Sequence, residues 1–155
     1  MSNLTVFASA LHALGAVIWV GGMFFAYMVL RPSLGAFEPP QRLRLWNAVF
    51  QRFFLWVWII VIVIPASGYW QVFNDFGGMA EAGLHVNTMN IIGLVMIALF
   101  VFLYFSPYQK FKNAIETEEW PVAAGHLNTI RRIVGANTVL GLINVIVGAS
   151  GRFWA

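Results

Sequence analysis

"LHALGAVIWVGGMFFAYMVLRP", residues 11–32, decides the fold, because His12 is followed by eighteen residues without a formal charge before Arg31 closes the run. The uncharged stretch also reaches back to residue 4. Residues 4–30 therefore exceed the about 20 apolar residues that a helix needs to cross a bilayer core. Three further runs, 53–74, 84–106 and 133–150, contain no Asp, Glu, Lys or Arg. None alternates apolar and polar residues as a membrane barrel strand does, so all four are expected to be helices.

Composition agrees. Of 155 residues, 60% are hydrophobic and 10% charged, with a mean hydropathy of +0.76. Soluble domains carry roughly 25% charged residues, so the chain reads as an integral membrane protein. The start of the chain has a small-residue triplet, Ala8-Ser9-Ala10. It lacks a basic segment ahead of it, and the triplet comes too early for a signal peptide, so 4–30 is counted as a span of the mature chain. Cysteine is absent, which removes thiolate metal sites and disulfides.

The basic residues point to topology. Arg31, Arg42, Arg44 and Arg52 lie in or beside the first connection, and Lys110, Lys112, Arg131 and Arg132 in or beside the third; Arg152 alone lies on the other side. Because basic connections stay in the cytoplasm, both termini are expected on the outer side of the membrane. The net charge of +3 is then a topology signal, not a nucleic-acid surface. The connections leave no room for a second domain. The expected fold is all-α, a single domain forming an up-down-up-down four-helix bundle, 1–155. Pro65 should kink the second span, with Ser67 and Gly68 accommodating the bend. The third connection has room for a surface helix, and Trp120-Pro121 marks a restart. Trp46, Trp56, Trp58, Trp70, Trp120 and Trp154 lie near span ends, where indole rings anchor at the interface.

Three histidines are separated by this topology. His12 and His85 each lie in the outer part of their spans, whereas His126 precedes the fourth span on the cytoplasmic side and reads as a surface residue. His12, Gly15, Trp19, Gly22 and Ala26 recur at steps of three or four, as do His85, Met89, Ile92 and Met96, and Asn137, Gly141, Asn144 and Gly148. Such small and polar faces pack against helices rather than lipid. The Gly22/Ala26 pair would serve equally within one chain or between two copies of a homo-oligomer.

An ionisable side chain inside a membrane calls for a partner. For His12 the partner is His85, through a bound metal or haem iron, with Asn87, Asn90 or Asn144 orienting the imidazoles. Copper accepts imidazole, and Cu(I) also accepts thioether, which makes Met89 a third candidate ligand. Haem b with two axial histidines fits the same pair, and 14 Phe and 7 Trp supply material for an aromatic pocket. Acid-pair catalysis, a phosphate loop and a hydrolase triad find no residues in the spans. The alternative to both metal readings is hydrogen bonding of each histidine across helices.

"LHALGAVIWVGGMFFAYMVLRP", "GLHVNTMNIIGLVMIALFVFLYFSPYQKFK" and "LNTIRRIVGANTVLGLINVIVGASGRFW" together resemble the CopD family of bacterial inner-membrane proteins, linked to copper resistance and uptake. The resemblance implies copper handling, with His12 and His85 as the metal-binding pair. The histidine pattern is also similar to HemJ, a membrane haem-b protein that oxidises protoporphyrinogen IX. There a lysine follows the third-span histidine two residues later; here Asn87 stands in that place and offers no cation to an anionic substrate. If the chain is an enzyme, that likeness implies a haem-dependent oxidoreductase.

Overall fold

The computed structural model describes residues 3–154, with Arg152 described by its backbone alone. The first helix runs over Asn3–Ser33, the second over Pro39–Asp75, the third over Leu84–Glu116 and the fourth over Trp120–Ser150. A 3-10 turn, Gly151–Phe153, follows. No strand occurs among the described residues. All four helices are long and apolar enough to cross a membrane, which makes this an all-helical, multi-pass membrane protein. Its outside has the matching chemistry: Val17, Ile62, Ile91 and Ile146, one on each helix, are between 64 and 68% exposed. Apolar surface of that extent is stable against lipid chains and not against water.

At one end the helices outrun the apolar runs. The second helix begins at Pro39, far ahead of residue 53, and the third continues to Glu116, past residue 106. The basic residues of these stretches thus ride on helical extensions. Prolines shape the extensions. Pro39 and Pro121 sit in the first turns of their helices, where a missing N–H costs nothing. Pro32 and Pro107 accompany π-helical turns at Ala26–Leu30 and Tyr104–Tyr108, where the ring displaces the carbonyl one turn back and the helix widens. The second helix stays continuous through Pro65, and Ser67 Oγ donates to the Val63 carbonyl at 2.6 Å with the Ile64 carbonyl 3.1 Å away.

The restart expected at Trp120 is present. Glu119 N donates to the Ala114 carbonyl (2.9 Å) and Glu118 N to the Ile115 carbonyl (3.3 Å), which closes the third helix with Glu118 in the left-handed region at φ 57°. The Glu118 carboxylate accepts from Arg44 at 2.6 Å, and this tight turn brings the fourth helix straight back.

Two helix pairings dominate the packing. Along the first and second helices, contacts run in opposite chain directions: Thr5 Oγ1 donates to Asp75 Oδ1 (3.0 Å), Ser9 Oγ to Gln71 Oε1 (2.9 Å), and Gly15 and Gly22 lie against Ile64 and Phe53. Asp75, at the end of the second helix, is thereby tied to the start of the first. Along the third and fourth helices, Gly141 lies against Met96 and Gly148 against Met89. The core is an aromatic cluster near the basic end, in which Phe50 and Phe54 stack with centroids 5.1 Å apart and meet Tyr108 edge-on. Trp46 belongs to this core, 4% exposed, and is not an interface anchor. Trp56, by contrast, is 54% exposed on the outside of the bundle.

Candidate metal-handling site

His12 sits in the N-terminal half of the first helix and docks on the second helix beside Pro65. Its Nδ1 lies 3.0 Å from the Ile64 carbonyl and 3.2 Å from Ser67 Oγ. A carbonyl oxygen can only accept, so Nδ1 must carry the proton. Ser67 spends its own proton on Val63, which leaves a lone pair for the same N–H. Both neighbours thus dictate one tautomer, in which Nε2 keeps its lone pair. The close approach depends on Gly68: a Cβ there would stand 3.1 Å from His12 Cε1.

His85 is held differently. It lies in the first turn of the third helix, and its ring packs against Gly151, the first residue of the 3-10 turn. A Cβ at Gly151 would come within 2.7 Å of the His85 Cβ. The Trp154 ring meets the imidazole edge-on at 6.4 Å. His85 is half-buried, and no hydrogen bond or ring contact among the described residues joins it to His12.

Met89 and Asn144 are brought together. Asn144 Nδ2 donates to the Met89 carbonyl at 3.3 Å, and the Met89 side chain lies over Gly148. One heptad away, Asn137 Nδ2 donates to the Met96 carbonyl at 3.1 Å. The polar stripe of the fourth helix therefore faces the His85-Met89-Met96 stripe of the third, as their spacing suggested. Asn87 instead folds back on its own helix start, donating to the Ala82 carbonyl at 3.0 Å. Asn90 accepts from Tyr69 Oη at 2.9 Å, a cross-helix link that the sequence did not signal. His126 is half-buried on the fourth helix, away from these groups.

The donor set is soft and sparse. No group of three or more His, Cys, Asp or Glu converges among the described residues. Imidazole and thioether without carboxylate favour Cu(I) over harder ions.

A family model described as copper resistance protein D, CopD, matches residues 47–150. The chain belongs to the CopD family. The match takes in the last three helices, with His85, Asn87, Met89 and Asn144, while His12 lies outside it. No curated protein and no solved structure matches this CopD chain. Family membership associates the protein with copper resistance in a membrane, and it fixes no ligand.

Proposed function

We propose that this CopD protein binds Cu(I) as cargo near the outer face of a bacterial inner membrane, with His12 and His85 as imidazole ligands and Met89 as the thioether. The observation that carries this reading is the His12 tautomer: with Nδ1 bonded to the Ile64 carbonyl and Ser67, the Nε2 lone pair is the one free to hold a metal. A backbone carbonyl on the far nitrogen also raises ligand basicity and fixes the ring. Asn144, bonded to the Met89 backbone, positions the thioether's turn, and Asn87 steadies the start of the third helix.

In this reading the helices form one up-down-up-down bundle with both termini outside, so the histidines meet copper on the periplasmic side and the basic extensions lie in the cytoplasm. A haem b held by the same two histidines is the alternative.

The deciding experiment is anaerobic Cu(I) titration of the detergent-purified protein, with elemental analysis and an absorption spectrum before and after reduction. Copper bound by the wild type and lost in both His12→Ala and His85→Ala is the expected result. A Soret band with bound iron would replace the copper reading by the haem one. Copper retained in both variants would remove the site.

A further inference from the structure

A second feature lies at the opposite, basic end. A cavity of about 270 Å3 opens between the first, second and fourth helices, walled by Phe50, Phe53, Ile130 and Val134. Arg31 and Arg131 line the same cavity, each with its guanidinium over an aromatic ring, Tyr27 at 5.1 Å and Trp46 at 6.0 Å. Arg131 also lines a neighbouring cavity of about 250 Å3 together with Arg42. Three arginines therefore surround one spot. Among the described residues the ion pair formed is that of Arg44 with Glu118, so this cluster has no carboxylate of its own.

Two buried donors in the cavity wall lack a partner. Trp46 is 4% exposed, and its Nε1 makes no hydrogen bond; neither does the buried Nε of Arg131. Indole and guanidinium groups donate and never accept, so the complement must bring acceptor oxygens and negative charge. The wall beside them is hydrocarbon and aromatic. A ligand meeting both demands is amphiphilic, with an anionic head and an apolar chain.

We propose that this cavity is a binding site for an anionic phospholipid, its phosphate among Arg31, Arg42 and Arg131 and an acyl chain against Phe50 and Phe53. The membrane supplies such a molecule at this depth, because Arg31 and Arg131 stand where the uncharged runs of the first and fourth helices end. Basic pockets between membrane helices are suited to anionic headgroups. The lipid would satisfy the Trp46 and Arg131 donors and screen three like charges from one another.

Native mass spectrometry of the full chain in mild detergent tests this, with phosphatidylglycerol and phosphatidylcholine of identical acyl chains as probes. The wild type should retain phosphatidylglycerol preferentially, and Arg31→Gln and Arg131→Gln should each lower that preference by about fivefold. Arg52→Gln, which lines neither cavity, should leave it unchanged. Arg31 is exposed at a helix end, so its variant tests the charge without threatening the fold. Equal retention of the two lipids, or an equal loss in Arg52→Gln, overturns the site. Displacement of the lipid by inorganic phosphate alone overturns the lipid assignment in favour of a free anion.

Discussion

His12 Nδ1 and Ser67 Oγ stand 3.2 Å apart across the first two helices, and the Ser67 proton is already committed to the Val63 carbonyl. The hydroxyl therefore accepts from the imidazole and holds it in one tautomer. Replacing Ser67 by Ala removes this acceptor and leaves the Ile64 carbonyl. Partners of ligating histidines are worth about 10–100-fold in metal affinity, and with one of two partners kept we expect a loss of about tenfold. Competition against a chromophoric Cu(I) chelator would measure it; a loss as complete as in His12→Ala would mean that Ser67 holds the ring alone.

Met89→Leu separates the thioether from its packing. Leucine keeps an apolar side chain over Gly148, and such swaps usually cost less than about 1.5 kcal/mol. Thermal stability should change little while Cu(I) affinity falls. Unaltered affinity would reduce Met89 to a packing residue.

Asn137 is 3% exposed, bonded through Nδ2 to the Met96 carbonyl, with Oδ1 unpartnered. Its replacement by Ala should cost about 0.6–1.7 kcal/mol, the range for hydrogen bonds between membrane helices. Asn137→Leu removes both the donor and the acceptor and puts a larger side chain against the Met96 backbone, and should cost about 1–3 kcal/mol through overpacking. Unfolding in mixed micelles would rank the two, and equal losses would contradict the placement of Asn137.

Gly21 and Gly22 are neighbours with opposite surroundings. A Cβ at Gly21 meets nothing within 4 Å, whereas one at Gly22 would overlap the Phe53 ring. Gly21→Ala should therefore be neutral or stabilising by up to about 1 kcal/mol through helix propensity. Gly22→Ala should destabilise by about 1–3 kcal/mol, since Phe53 is held within the aromatic cluster. The same unfolding assay distinguishes them.

Much of this arrangement was legible beforehand. Four charge-free runs gave four spanning helices, since the absence of Lys, Arg, Asp and Glu over such lengths has few other physical meanings. The stripes of the third and fourth helices were visible as steps of three and four, and the structure sets them face to face. The partner of His12 was not visible. Ile64 lies 52 residues away, and its carbonyl is a backbone atom that no side-chain pattern announces. Trp46 was misplaced for a related reason: nearness to a span end says where a ring stands along the membrane, not which side of its helix it faces. The π-helical turns escaped as well, though Pro32 and Pro107 now account for them.

The asparagine bonds of the fourth helix recur after seven residues, Asn137 to Met96 and Asn144 to Met89, so they act as the graduations of a vernier scale. Sliding the helix by one graduation, about 10 Å at 1.5 Å per residue, would offer Asn137 to the Met89 carbonyl and carry Asn144 past the start of the third helix at Leu84, away from any carbonyl of that helix. A single bond would tolerate that error; the doubled scale does not. Gly151 beneath the His85 ring supplies the zero mark, because in the slid arrangement it no longer meets the imidazole. The residue proposed to hold copper would thus also be the one against which the last two helices are aligned during assembly.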